Sequence, residues 1–438
     1  MMDKQSVKNK RLESRRDFIK GKVFGGVLGA LSLPFFSFAD DSFSRRELIR
    51  SLRNIEGQID WNKVQKEFTI GKSKYYFNSG SNGPSPKVVV EEVVKNIRSS
   101  ADKALNKHSK LKSVRQKIAY FLNVPVKQIG LTNNATEGMN IAAHSIPLSA
   151  GDEVILSRDE HIGGAAPWIA LQESKGIQIK LVDLDPTGKK NLAIIKKAIS
   201  AKTKVLVLSH VTCTSGLVLP IKQIVKFCRK KGIYSCIDGA QSVGMISVDL
   251  ADLQPDIYTA SGHKWLFGPE GTGILYMSSK LIEETNPIFA GAYTDAKFDL
   301  NSLTLEFKKS ADRYEFGTRN TSIVLGLGTA IDFISDIGID AIESRGKELA
   351  TYFKEQISVL NGIELITPQD PQCTAAIVTI RIPGENVTER CNRLVREKRI
   401  QIRGIYENNL NAMRLSFAIF NTKAELDYVV KELKKEVK

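Results

Sequence analysis

The sequence predicts an α/β protein: a large domain on a mostly parallel sheet, followed by a small C-terminal α+β domain. Three observations lead there. Apolar, β-branched runs recur at "DEVILS", "IQIKLVDL", "TKVLVLSHV", "IYSCID", "DIYTAS" and "GILYM". Helix-period stretches separate them, and strands apolar along their whole length suit a sheet covered on both faces. From "AAIVTIRI" onward the order changes to strand, helix "VTERCNRLVREK", strands "IQIRGI" and "AMRLSFAIF", then helix "KAELDYVVKELKKE". With 438 residues the chain exceeds one typical domain.

In chain order, residues 1–39 read as a leader, 40–75 as an N-terminal helical segment, 76–320 as the large domain, and 321–438 as a linker helix plus the small domain. Within 44–68, apolar residues at steps of three and four predict helix. "YYFNSGSNGPSP" is a strand entering a Gly/Pro loop, and Pro86 can open the next helix. "LTNNATEGMNIAAHSI" is an Asn/Thr-rich turn before a helix, and residues 268–273, "GPEGTG", are a turn. A long helix is expected through "IVLGLGTAIDFISDIG", and Thr422 with Glu425 forms a capping box for the last helix.

The leader is basic and then apolar. "SRRDFIK" resembles a twin-arginine export signal at Ser14, Arg15, Arg16, Phe18, Ile19 and Lys20, with cleavage expected after Ala39. That resemblance implies recognition by the twin-arginine export machinery and a periplasmic or exported location. The apolar stretch 23–38 is too short and glycine-rich for a stable membrane anchor. The formal charge is +15, falling to +10 without the first 39 residues, and the remaining lysines form no dense block. Solvated helix faces account for them, and no nucleic-acid partner is expected. Cys213, Cys228, Cys236, Cys373 and Cys391 show no CxxC spacing, so neither a disulfide nor a metal cluster is expected.

The chemistry concentrates at strand ends, where open α/β sheets bind ligands. Asp238 ends "IYSCID", where a carboxylate needs a cationic or donor partner. Lys264 follows "DIYTAS" by three residues, and burial there lowers an amine's pKa toward the nucleophilic form. A lysine and an acid in one crevice fit pyridoxal 5′-phosphate held as a Schiff base, with the acid keeping the ring nitrogen protonated. Ala135 and Thr136, opening a helix, present N–H groups to a phosphate.

With these residues in view, the segment "DGAQSVG…VDL…YTASGHKWLFGPEGTGILY" is similar to the class V aminotransferase family of fold-type I pyridoxal-phosphate enzymes, from about residue 75 to the C-terminus. The resemblance implies a seven-stranded type of sheet, Lys264 as the cofactor lysine, Asp238 at the ring nitrogen, Gln241 near the ring hydroxyl and His161 stacked on the ring. It adds Ser261 and His263 to Ala135 and Thr136 around the phosphate. It implies a homodimer with shared sites, in which Thr318 of "FGTRNTS" reaches a second subunit's phosphate. It also implies Arg414 of "MRLS" at the substrate α-carboxylate, with Asn78 in the substrate site.

The departures bear on the reaction. Cysteine desulfurases carry a nucleophilic cysteine in the loop before the arginine strand, and "RGIYENNLNAMRLS" has none. "NNATEGMN", "TSGLVLPI" and "FGTRNTS" lean toward the isopenicillin N epimerase-like branch. The expected activity is therefore pyridoxal-phosphate chemistry at the α-carbon of an amino-acid substrate, amino transfer first, with epimerisation or a lyase reaction as the alternative. A binding protein that keeps the fold without the chemistry is the contrasting reading, and the complete set of Lys264, Asp238, Gln241, His161 and Arg414 argues against it.

Overall fold

The computed structural model describes residues 47–437 except 49, 72, 73, 105 and 106. The expected leader, 1–39, lies outside the described residues. Seven described strands make the central sheet: β1 (Ile129–Thr132), β2 (Glu153–Ser157), β3 (Gln178–Val182), β4 (Thr203–Ser209), β5 (Tyr234–Asp238), β6 (Ile257–Ser261) and β7 (Gly273–Met277). Their spatial order is β1-β7-β6-β5-β4-β2-β3. Every contact from β3 through β6 is parallel, whereas β7 runs antiparallel to both β6 and β1. The six apolar runs each form a strand. β6 and β7 are buried at every position, while β3, at the sheet edge, is largely open.

Helices α1 (Lys87–Lys103), α2 (Ala135–Ser145), α3 (Ile162–Lys175), α4 (Ile221–Lys231) and α5 (Thr321–Ile337) lie among the connections. Met139, Ala142 and Trp168 from α2 and α3 pack with Leu156, Val207, Cys236 and Leu275 from four strands in one core. Cys236 is thus a packing residue, as small buried thiols commonly are. α5 starts where Asn320 accepts the Ile323 N–H.

In the C-terminal region, β8 (Glu364–Leu365), β9 (Ile377–Arg381), β10 (Arg403–Ile405) and β11 (Ala412–Ser416) form an antiparallel sheet in the order β8-β9-β11-β10. Helices α6 (Val387–Lys398) and α7 (Lys423–Glu436) coincide with their expected segments. The run before α1 joins this region: Tyr75 and Tyr76 pair in parallel with Ile400 and Gln401, and Asn78 bridges Ser416.

One expectation needs correction. The segment 44–68 is not a continuous helix: Arg53 and Ile59 form an antiparallel bridge, and a new helix, Trp61–Lys66, starts after Asp60. The Asn54 carboxamide accepts the Glu56 and Gln58 N–H groups at 3.0 and 2.9 Å, and Gly57 has φ of +80°. Asparagine and glycine give the backbone a turn that competes with helix despite the apolar spacing.

The capping box of α7 is complete, with Thr422 Oγ1 accepting the Glu425 N–H at 3.3 Å and the Thr422 N–H donating to Glu425 Oε2 at 2.7 Å. Thr422→Ala removes the side-chain half, at a cost of about 1 kcal/mol. Urea denaturation should show a lowered midpoint with an unchanged slope; an unchanged midpoint would contradict the role given to this cap.

Candidate active site

Parallel strands carry their carboxyl ends to one edge, and the loops after β1, β2, β5 and β6 meet there around a cavity of about 370 Å³. Ala135 and Thr136, His161, Asp238, and Ser261, His263 and Lys264 line it, joined by Gly80, Ser81 and Arg403. Seven of the residues singled out in the sequence therefore share one cavity.

The lysine's backbone is pinned. Gly83 N–H donates to His263 carbonyl at 2.7 Å, and a Cβ at residue 83 would stand 1.9 Å from the Lys264 carbonyl oxygen. Only glycine permits that approach. Gln241 adds a clamp: its Nε2 donates to the Gly80 carbonyl at 2.8 Å, and its Oε1 accepts from Trp265 Nε1 at 2.8 Å. Gln241 thus stands behind the lining, holding the segment after Lys264 to the loop at Gly80.

Asp238 is 6 % exposed, accepts the Ala240 N–H at 2.8 Å, and makes no salt bridge among the described residues. Burial pulls the Lys264 amine below the usual lysine range; Asp238 and Cys213 oppose this, and Arg414 and Arg403 reinforce it. Burial also lowers His161 and His263, with the neighbouring Lys264 next in effect on both. His161 caps α3, its Nδ1 accepting the Gly163 N–H at 3.1 Å. A Cβ on Gly163 would lie 2.3 Å from Thr136 Oγ1, so glycine lets α3 close against the start of α2. There Asn134 caps α2, and the Ala135 N–H donates to Ser261 Oγ at 3.3 Å.

Arg414 lies behind the lining, fully buried. It donates to the Cys213 carbonyl at 3.0 Å and to Ser81 Oγ at 2.9 Å, and its Nε has no partner. Arg403 faces it directly across the β10–β11 ladder. Like charges in such register repel unless an anion joins them. Burial first, and Arg403 second, bring Arg414 down to about 10. Glu407 pairs with Arg403, which leaves the two guanidiniums one carboxylate between them. Asn78 lies beside this group through its bridge to Ser416, and its Oδ1 is buried without a partner. Thr318 is exposed and outside its own chain's cavity.

Sequence reasoning missed Arg403, Ser81 and Glu160. Arg403 had a usable signal, its place in "IQIRGI" facing the strand of Arg414. Glu160 had none, because its burial comes from β4 contacts distant in sequence. Among the described residues no group of three His, Cys, Asp or Glu could hold a metal ion.

The residues fit pyridoxal 5′-phosphate. The cavity suits a small aromatic cofactor, a helix N-terminus offers an anion seat, and His263 Nδ1 is buried without a partner. Asp238 supplies a carboxylate for a ring N–H, and Lys264 an amine for an aldehyde.

Comparison with known proteins agrees. The family model described as Aminotransferase class-V matches residues 75–429, and the chain belongs to that family. It is 28% identical over 400 residues to a cysteine desulfurase of Serratia proteamaculans, covering 85% of this chain and 97% of that one. A probable cysteine desulfurase of Staphylococcus aureus strain Mu50 is 28% identical over 411 residues, covering 86% and 97%. Among solved structures, the Escherichia coli cysteine desulfurase CsdA superposes with a TM-score of 0.78 at 24% identity, covering 86% of this chain and 98% of that one. The cystine C–S lyase C-DES with its product cysteine persulfide gives 0.77 at 24%, covering 83% and 98%. These two structures share the fold.

An amine with a lowered pKa keeps more of its free-base form at a given pH. In the cofactor-free chain, the rate of Lys264 acylation should therefore reach half its plateau at lower pH than that of exposed lysines. Peptide mass spectrometry after labelling from about pH 7 to 10.5 measures this. A midpoint shared with surface lysines would contradict the desolvation described here.

Proposed function

We propose that this chain is a pyridoxal-phosphate-dependent enzyme that grips an α-amino acid by its carboxylate and acts at the α-carbon, with amino transfer as its reaction. The observation that carries the proposal is the meeting, around one cavity, of a desolvated lysine, a buried carboxylate without a cation and a helix N-terminus, beside two facing arginines.

Bound there, pyridoxal phosphate supplies an electron sink for the charge left when the α-proton departs. The chain's residues do the rest. Ala135 and Thr136 N–H groups, with Ser261 and His263, hold the phosphate. Asp238 keeps a proton on the ring nitrogen, and His161 lies against the ring. Lys264 would hold the cofactor by its amine, and with that amine free its Nζ would take the α-proton and return it. Arg414 and Arg403 hold the carboxylate, a bidentate task suited to guanidinium, and Asn78 offers its carboxamide beside them. Thr318 suits the completion of a second copy's site in a homodimer, and residues 1–39 support export by the twin-arginine route to the periplasm.

Amino transfer asks for one base that removes and redelivers a proton, and among the described residues the cavity lining holds one amine and no thiol. A carbon–sulfur lyase is the second reading, favoured by the desulfurase and C–S lyase names of the relatives. Sulfur carried on a protein cysteine is unsupported. Residues 404–411 contain none, and burial pushes the Cys213 thiol up to about 11, away from the reactive thiolate.

Borohydride reduction of the loaded protein should fix the cofactor to Lys264 as seen by peptide mass spectrometry, and Lys264→Ala should yield no fixed cofactor; an adduct that survives elsewhere refutes the lysine's role. Arg414→Lys, which loses the planar fork, should raise KM roughly tenfold or more, and an unchanged KM would move the carboxylate elsewhere. Proton NMR with L-amino acids in deuterated buffer decides the reaction. Keto-acid formation supports amino transfer, small fragments a lyase, and loss of the α-proton signal without a new product epimerisation.

A further inference from the structure

The carboxylate of Glu160 takes no part in the steps above, yet it is 7 % exposed and held by three donors. Ser157 Oγ and the Ser209 N–H donate to Oε1 at 2.7 and 3.0 Å, and Ser209 Oγ donates to Oε2 at 2.7 Å. Ser209 pairs in register with Asp238 across β4 and β5. A Cβ built on Gly164 would stand 3.3 Å from Asp238 Oδ2 and 3.7 Å from Glu160 Oε2. The two carboxylates thus flank the gap that this glycine leaves in the first turn of α3. Neither forms a salt bridge among the described residues.

We propose that Glu160 is a positioning residue for Asp238: a second carboxylate whose charge sets how tightly Asp238 keeps a proton on the ring nitrogen of bound cofactor. The proposal rests on the cofactor reading above.

The charge of Asp238 disfavours ionisation of Glu160 across this gap. When Glu160 is protonated, Asp238 alone faces the ring nitrogen. When Glu160 ionises, the added negative charge behind Asp238 strengthens the hold on the ring proton. The three donors favour the ionised form; burial, with Asp238 adding to it, outweighs them and raises Glu160 to about 7. Other titratable groups lie nearby. Burial brings His210, next to Ser209, down to about 4, and also lowers His161, next to Glu160 in the chain. Burial raises Asp159, opposed by the hydrogen bond it accepts from Thr214 at 2.6 Å, and burial lowers Lys264.

The test is a pH titration of the visible absorbance of protein loaded with pyridoxal phosphate. The wild-type chain should show a component with a midpoint near 7. Glu160→Gln keeps size and hydrogen bonding but cannot ionise, and should lose that component. Ser209→Ala removes a donor that favours the ionised form and should move the midpoint upward by roughly half a unit or more. A purely structural role for Glu160 would lower thermal stability and leave both midpoints in place. A midpoint retained in Glu160→Gln, or unmoved in Ser209→Ala, overturns the proposal; if Glu160→Gln does not fold, Ser209→Ala decides. A wild-type chain that takes up no pyridoxal phosphate fails the cofactor reading itself, whereas a normal band without these shifts fails only the proposal.

Discussion

A carboxyl group buried without a cation is a costly arrangement for a protein to hold, and Asp238 is one among the described residues. The surrounding structure makes sense as a consequence. The backbone N–H of Ala240 supplies a donor to one oxygen, and the gap that Gly164 leaves lies between the other oxygen and the Glu160 carboxylate. A ligand bringing its own N–H completes this half-satisfied group.

The same logic operates at the other end of the site. Two guanidiniums in register on neighbouring strands repel, and one glutamate offsets half of their charge. The start of α2 adds partial positive charge at a third position. The cavity therefore has anion-seeking groups along its lining and an amine whose pKa burial lowers in its wall. A molecule with a phosphate at one end, joined to one with a carboxylate, matches that pattern in charge before shape is considered.

Much of this was legible in the sequence, for physical reasons that vary by element. The central strands announced themselves because burial on both faces demands unbroken apolar runs, as in β6 and β7. α6 and α7 were legible because their amphipathic spacing is bounded by local signals, Asn386 for one and the Thr422–Glu425 box for the other. β1 was not, since four residues beside an Asn-rich turn carry too little pattern to separate strand from loop. The turn at Asn54 was hidden for the opposite reason, a helical spacing that local side-chain hydrogen bonds override. Site residues at strand ends were readable from chemistry and position, as with Asp238 and Lys264. Glu160 was unreadable because a glutamate in sequence looks solvated, and only Ser209, brought alongside by the sheet, makes it otherwise.

The pairing of residues 75–78 with the last strands has a consequence for how the protein is made. Ser81 meets Arg414 across 333 positions, and Tyr76 meets Asn421 across 345. A ribosome delivers the first partner long before the second, so the loop at Gly80 meets Gln241 and His263 well before Arg414. Contacts so distant along the chain form late and slowly. The central sheet can assemble while the C-terminus is still being made, but the cavity lacks one wall until β10 and β11 emerge. A chain truncated before these strands therefore carries Lys264 and Asp238 without Arg403 on the cavity lining.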